Sequence, residues 1–314
     1  MESHRILDMI SSPADLKLLT NEELSILASE IREQIITTTS KTGGHVAPSL
    51  GVVELILACH SVLDCPHDKL LFDVGHQSYA HKLVTGRLGK FDTLRQFGGM
   101  SGFPKASESE YDVHPSGHAS DSVSVALGLA MARDLNGGDE KIVTIIGDAS
   151  LSGGMAFEAL NQLGQLQTPM VIILNDNEMS ISRNVGAFAR YLGEKRASRE
   201  YTRTRDSVQS VLEASGPLGR GLVDLGRNAK DSFKQMVIPG EMLFEKLGIT
   251  CTAPIPGHDI TALKRALRVC LEADGPTLLH VVTKKGKGYE PAEKNPSKFH
   301  GIGPYDIATG EVKK

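Results

Sequence analysis

The sequence predicts an α/β fold with a mostly parallel central sheet and helices on both of its faces. Two nearly continuous aliphatic runs, Ile142–Ile146 and Met170–Leu174, have the length of strands and are apolar on both faces, which is typical of a buried parallel sheet. Between them, Met155–Leu166 has apolar residues at helical spacing. A strand, a helix and a second strand at this spacing indicate a βαβ unit.

The other elements are predicted in chain order from caps, helical spacing and apolar runs. The capping box Thr20–Glu23 begins a helix that we expect to run to about Thr39, before Gly43 and Gly44 interrupt it. Ligands of parallel sheets lie beyond the carboxyl ends of the strands, so the loops after the strands are the candidate functional loops. The further elements are a helix near Pro48, a strand at Leu70–Val74, helices at Asp121–Arg133 and Leu263–Leu271, and a strand at Thr277–Val282.

Composition excludes several classes of protein. The chain has 314 residues, a formal net charge of −4 and 40% hydrophobic residues, as in ordinary soluble globular proteins. Its apolar runs are too short to cross a bilayer, and Met1–Ile10 lacks the apolar core of a secretory signal. The four cysteines include no C-x-x-C pair, which favours reduced structural thiols. We therefore expect a cytoplasmic protein without nucleic acid or membrane as a partner.

One segment does not fit the α/β pattern. In Arg183–Gly240 the basic residues outnumber the acidic ones, glycines are frequent and the periodicity is weak. We interpret it as a linker or a mobile helical excursion between sheet elements. A patch that binds phosphate or nucleic acid is the alternative, which the interleaving of basic with acidic residues disfavours.

Polar residues follow two consecutive predicted strands and form a candidate metal site. Asp148 follows the first strand, and Asn177 follows the second 29 positions later. Gly147-Asp148 alone is also compatible with a simple turn and helix cap. Adjacent parallel strands would bring both loops to one sheet edge, where a carboxylate, an amide oxygen and a backbone carbonyl suit Mg²⁺ that also binds a diphosphate.

Four histidines lie in or beside loops: His45, His76, His118 and His300. Each one alone could be a surface residue or a hydrogen-bonded structural residue, but neutral imidazoles also donate to phosphates and transfer protons. The basic turn Lys284–Tyr289 is either solvated or an electropositive lip beside a diphosphate. The remaining histidines are interpreted as structural or solvated: His4, His60, His67, His81, His114, His258 and His280.

The paired loops Gly147-Asp148-Ala149 and Asn175-Asp176-Asn177 resemble the thiamin-diphosphate signature, with Ala149 where a glycine is usual. Together with Ser40–Leu55, Phe72–Arg87 and Lys284–Glu293, they make the sequence similar to the 1-deoxy-D-xylulose-5-phosphate synthases, a transketolase-like family. The resemblance spans essentially the whole chain. It implies a three-layer thiamin-diphosphate-binding fold.

The resemblance also implies a reaction, two cofactors and a set of site residues. Pyruvate loses CO₂ and its remaining two-carbon unit joins glyceraldehyde 3-phosphate, with thiamin diphosphate and Mg²⁺ as cofactors. His45 and His300 would face the reacting carbons. Mg²⁺ would be bound by Asp148, the Asn177 side chain and the Met179 carbonyl. The cofactor would contact His76, Gly117, His118, Ala119, Ala149, Ser150, Asn177 and Tyr289.

The resemblance covers residues 1–314 as an N-terminal domain, about half of the family's chain. The family's other domains would supply the glutamate, aromatic pocket and arginines that complete the site, in cis or as a second chain, so this chain alone is expected to be inactive. The complete enzyme is expected to be a homodimer. Three interpretations stay open: a fragment of a synthase, a separately encoded N-terminal subunit, or a non-catalytic thiamin-diphosphate-binding protein. A generic phosphate-binding α/β module is a fourth, although no G-x-x-x-x-G-K-[ST] loop is present.

Overall fold

A parallel sheet, with six strands in the described residues, forms the centre of the protein. The structure, a computed structural model, describes residues 5–115, 117–182, 184–197 and 243–313. The strand order is β1-β2-β3-β6-β4, and β5 also pairs with β6. The strands are β1 Lys69–Phe72, β2 Ile142–Gly147, β3 Val171–Asp176, β4 Thr250–Cys251, β5 Ile255–Pro256 and β6 Thr277–Val282. The predicted parallel sheet is confirmed; β4 and β5 were not predicted because two residues carry no periodicity.

Twelve α-helices surround this sheet within the described ranges. They are α1 Pro13–Leu16, α2 Asn21–Thr42, α3 Val46–Leu50, α4 Val53–Val62, α5 Tyr79–Lys82, α6 Ser122–Asn136, α7 Asp148–Leu151, α8 Gly154–Leu166, α9 Ala187–Ala197, α10 Leu243–Lys246, α11 Ile260–Leu271 and α12 Glu290–Lys294. Three further helical turns, Ile6–Met9, Leu83–Arg87 and Leu88–Thr93, join them.

The two faces of the sheet are buried against different helices. Val143 and Ile173 join the apolar cluster that contains α2, α4 and α11, whereas Ile146 and Ile172 join the cluster that contains α6 and α8. This alternation is the period of two of a strand covered on both sides. The predicted three-layer α/β architecture is therefore confirmed.

The helix α2 shows how the local sequence sets its limits. Thr20 Oγ1 accepts from the Glu23 N–H at 3.2 Å, and the Glu23 carboxylate accepts from the Thr20 N–H at 2.8 Å, which is the predicted capping box. At the other end, Gly43 has φ +72°, and a Cβ there would lie 2.7 Å from the Ile302 carbonyl oxygen. Glycine therefore ends the helix and lets a distant backbone approach.

The predicted excursion over 183–240 is described only in part. Within it, Ala187–Ala197 form the helix α9; residues 183 and 198–240 lie outside the described residues. The four cysteines are free, and burial raises the pKa of the Cys270 thiol to about 12. In the part of the chain that the structure covers, none of the helices combines the length and apolar character of a bilayer span.

Candidate active site

The predicted functional loops meet at the carboxyl edge of the sheet. Gly147 pairs with Asn175 and Asp176 pairs with Val282, so β2, β3 and β6 end side by side. The segment after β1 starts with Asp73, whose N–H donates to the carbonyl of Ile145 in β2 at 2.8 Å. Four strands thus deliver their following loops to one place, as parallel topology requires.

Asp148 joins two of these loops. Its carboxylate is buried and accepts from the Ala149 N–H at 2.9 Å and from the Glu178 N–H, in the loop after β3, at 3.0 Å. Burial and the neighbouring Asp176 raise the pKa of Asp148 to about 7. Asp176 is itself paired with His280 at 2.9 Å. Two adjoining buried carboxylates favour a bound cation, so this donor set fits a hard divalent metal ion.

The other predicted metal ligands lie in the same loop. The side-chain oxygen of Asn177 accepts from the Met179 N–H at 3.0 Å, which leaves a second lone pair on that oxygen. Asn184 is hydrogen-bonded to Asp148 through its side chain. Asp148, Glu178 and Asn184 also line a cavity of about 290 Å³ against α9.

Three histidines form a cluster near this edge. The His45 ring lies 5.8 Å from the rings of both His76 and His300, and the His76 and His300 rings are 5.2 Å apart. Burial lowers the pKa of His45 to about 4, with Arg95 adding to the effect, and lowers that of His76 to about 3 and that of His300 to about 4. All three imidazoles are therefore neutral near pH 7.

Backbone pairing between distant segments creates the cluster. Gly44 and Ile302 exchange two hydrogen bonds, at 2.8 and 3.0 Å, and the Ala47 N–H donates to the carbonyl of Phe299 at 2.9 Å. The His45 N–H donates to the hydroxyl oxygen of Tyr79 at 3.0 Å. A Cβ at position 44 would lie 2.7 Å from this hydroxyl, so glycine is required for the close approach.

Lys285 connects the histidine cluster to the loop after β3. Its ammonium donates to the carbonyl of Ser180 and to Nδ1 of His300, the latter at 2.9 Å. Burial lowers the pKa of Lys285 to about 8, and Asp148 partly opposes this change. The predicted basic turn thus places one buried cation between the two halves of the site, whereas Lys284 is exposed and pairs with Glu293.

The loop before α6 is fastened to the same edge. Both carboxylate oxygens of Asp73 accept from the Ser120 N–H at 3.0 Å, and the Ser120 hydroxyl donates to the carbonyl of Ser150 at 2.7 Å. The Val74 N–H donates to the carbonyl of His118 at 3.2 Å. The loop exposes three of the predicted cofactor contacts, namely Gly117, His118 and Ala119.

Tyr289, another predicted cofactor contact, is buried among aromatic side chains. Its ring packs edge-on against Phe299 at 5.5 Å and lies 6.1 Å from Tyr305, and its hydroxyl donates to the carbonyl of Ile307 at 2.7 Å. The hydroxyl is satisfied inside this aromatic cluster, and the contact of Tyr289 with the cofactor stays a prediction.

Comparisons with known proteins decide the family. A sequence model of 1-deoxy-D-xylulose-5-phosphate synthase matches residues 7–283. The chain belongs to the 1-deoxy-D-xylulose-5-phosphate synthase family. The resemblance inferred from the paired loops is therefore confirmed.

Relatives within the synthase family match the whole chain but not their own whole length. The synthase of Desulforudis audaxviator is 55% identical over 307 residues, which cover 98% of this chain and 48% of that protein. The synthase of Pelotomaculum thermopropionicum is 53% identical over 310 residues, covering 99% and 48%. The chain thus spans about half the length of these curated relatives.

Solved structures show the same fold outside the synthases. Transketolase from Leishmania mexicana has a TM-score of 0.61 at 18% identity over 91% of this chain and 40% of its own. Transketolase from Campylobacter jejuni has a TM-score of 0.59 at 19% identity, over 91% and 43%. The fold of this synthase-family chain is therefore transketolase-like.

We expect the neutral His76 to make the stability of the chain sensitive to acid. Because its pKa is lowered from 6.5 to about 3, the unfolded chain takes up a proton first as the pH falls, and stability is lost below pH 6.5. We expect this histidine to account for a loss of about 2 kcal/mol between pH 6.5 and 5. Urea unfolding of His76→Gln should show a correspondingly shallower fall. The exposed His67→Gln variant is the control; equal slopes in all three proteins would contradict the prediction.

Proposed function

We propose that this chain supplies the diphosphate and Mg²⁺ half of the active site of a 1-deoxy-D-xylulose-5-phosphate synthase. The complete enzyme condenses pyruvate with D-glyceraldehyde 3-phosphate, releases CO₂ and uses thiamin diphosphate as its cofactor. The observation that carries this proposal is the contact between the Glu178 N–H and Asp148, which joins the two signature loops beside a cluster of neutral histidines.

Asp148 is the first Mg²⁺ ligand in this proposal, and the Asn177 side-chain oxygen and the Met179 carbonyl are the others. Three protein ligands leave coordination positions for diphosphate oxygens and water, which is the arrangement that Mg²⁺ prefers. The support is electrostatic, since burial and Asp176 raise the pKa of Asp148 in the absence of a cation. A divalent ion would reverse this effect.

The neutral donors around this edge would hold the cofactor. His76, Ala149, Ser150 and the loop Gly117–Ala119 surround the same strand ends, and Lys285 adds a buried positive charge that suits a diphosphate oxygen. Thiamin diphosphate, when bound, supplies the electron sink for loss of CO₂.

His45 and His300 would act on the reacting carbons. Both imidazoles are neutral near pH 7, so each ring can donate one hydrogen bond and accept another. The hydrogen bond between Lys285 and His300 Nδ1 makes Nδ1 the acceptor, because an ammonium only donates. Nε2 of His300 then carries the proton, and it can donate to a carbonyl or carboxylate oxygen of the substrate.

The C-terminal half of the family's enzyme is the partner of this chain in this proposal, in cis or as a second chain, and the assembled enzyme is a homodimer. Mixing the chain with the C-terminal half of a family member and assaying CO₂ release from pyruvate tests it. We expect activity only in the mixture, and only with both cofactors. A folded, associated mixture without activity would leave the non-catalytic thiamin-diphosphate-binding protein as the better interpretation.

A further inference from the structure

Outside the metal and histidine sites, a group of ionic side chains is buried beside them. Lys82, in α5, has a fully buried side chain and donates to Glu108 at 3.0 Å. Asp112 is also fully buried and accepts from Arg87 through two hydrogen bonds of 2.7 and 2.9 Å. His81, also in α5, contacts the same carboxylate at 2.9 Å.

The hydrogen-bond partners in this group determine which ring nitrogens of His81 and His60 carry a proton. Burial lowers the pKa of His81 to about 4, so this imidazole is neutral. The carboxylate of Asp112 only accepts, so His81 donates from Nε2 and accepts at Nδ1 from the Nε2 proton of His60, 2.8 Å away. Asp112 is therefore held in one orientation by two side chains, Arg87 and His81.

The same carboxylates fix the backbone of the segment Ser101–Asp112. Glu108 accepts from the Ser101 N–H at 2.8 Å, and Asp112 accepts from the Lys105 N–H at 2.8 Å. Between these two anchored amides lies Phe103, a half-buried residue whose ring is 5.4 Å from the ring of His45.

The helix α5 contacts both segments whose rings meet, the one that carries His45 and the one that carries Phe103. Tyr79, at its start, accepts from the His45 N–H, and Lys82, at its end, holds the segment that carries Phe103. Buried ion pairs cost desolvation energy and are a poor means of stabilising a fold compared with apolar packing. A group that is costly for stability and holds the neighbours of His45 indicates a role in conformational specificity.

We propose that Glu108 and Asp112 are positioning residues that seat Phe103 against the ring of His45, forming a fixed wall of the histidine site. The relevance to catalysis rests on the proposed function, but the seating itself does not. The wall limits the orientation of His45 and of whatever carbon skeleton lies against it.

The absence of tryptophan from the sequence provides a direct test. Phe103→Trp gives the chain a single indole, whose emission wavelength and acrylamide quenching report on seating without any cofactor. In that background we expect Glu108→Gln to shift the emission to the red and to raise the quenching constant by about twofold or more, because the anchored segment opens. The exposed neighbour Glu110→Gln is the matched control and should leave both unchanged.

The outcomes separate clearly. Emission typical of a fully solvated indole in the Phe103→Trp parent, or equal spectra for Glu108→Gln and the parent, would overturn the proposal, as would an equal shift in the control. Asp112→Asn should give a larger emission shift than Glu108→Gln, provided that circular dichroism shows that the Asp112→Asn chain is folded. If the Asp112→Asn chain is unfolded, Glu108→Gln alone decides the test. If Phe103→Trp itself unfolds, hydrogen exchange at the Ser101 and Lys105 amides makes the same comparison in the chain that keeps Phe103. Faster exchange in Glu108→Gln would support the proposal, and unchanged exchange would overturn it.

The complete enzyme tests the link to catalysis. With Phe103 present, Glu108→Gln should lower kcat/KM about tenfold and Glu110→Gln should not change it. A shift in emission with unchanged kcat/KM would overturn the catalytic part of the proposal. A parent that is inactive in every mixture contradicts the proposed function instead, and leaves the emission result standing.

Discussion

Asp148→Asn should abolish Mg²⁺-dependent binding of thiamin diphosphate and at the same time stabilise the unliganded chain. The carboxylate is buried beside Asp176, which raises its pKa to about 7. Above that pH its ionised form opposes folding, since the unfolded carboxyl ionises near 3.8. An asparagine keeps one oxygen for the Glu178 N–H and loses the second oxygen, which accepts from the Ala149 N–H, together with the charge that Mg²⁺ requires.

Calorimetry and urea unfolding measure these two effects separately. We expect roughly 100-fold or greater loss of Mg²⁺-dependent affinity and a gain of about 1–2 kcal/mol in the free energy of unfolding at pH 8 without ligand. The exposed Asp139→Asn is the control and should change neither quantity. Strong binding of thiamin diphosphate that is independent of Mg²⁺ would contradict the role of Asp148 as a metal ligand. A destabilised Asp148→Asn chain would contradict the claim that the buried carboxylate lowers the stability of the unliganded chain.

Asp112→Ala should produce the largest loss of stability of any single change considered. Its carboxylate is the counter-ion of Arg87 and lies 3.8 Å from the ammonium of Lys82, and all three side chains are buried or nearly so. Removal takes the carboxylate partner from Arg87 and leaves Glu108 as the acceptor of Lys82, at a place where both cations are buried or nearly so. Such a change costs about 3–5 kcal/mol.

Urea unfolding at pH 7, with the slope as a check on two-state behaviour, measures this loss. The control is Asp139→Ala, because Asp139 pairs with His67 across an exposed surface, with 91% of its side chain accessible. That pair should contribute less than about 1 kcal/mol. A loss below about 1 kcal/mol for Asp112→Ala would mean that the buried cations find other acceptors.

Much of the fold follows from local patterns. The aliphatic runs of β2 and β3 and the periodicity of α8 were sufficient to predict the sheet, because apolar residues on both faces of a strand require cover on both sides. The placement of Asp148 and Asn177 followed as well, since parallel strands end at one edge.

The partners of these residues needed the register of the sheet. Leu174 pairs with His280 and Asp176 pairs with Val282, which places His280 and Asp176 on the same face of the sheet. This neighbourhood cannot be predicted without the register. The histidine cluster needed more still, because His45 and His300 meet only through the pairing of Gly44 with Ile302. Neither spacing nor periodicity carries information about such a contact.

The pairing of Gly44 with Ile302 has a consequence for synthesis of the chain. A ribosome would have to release Ile302 before His45 could meet His300, although the core of the parallel sheet is complete at Val282. Closing so long a loop is slow compared with forming neighbouring contacts. The nascent domain can therefore fold its sheet before His45 and His300 come together.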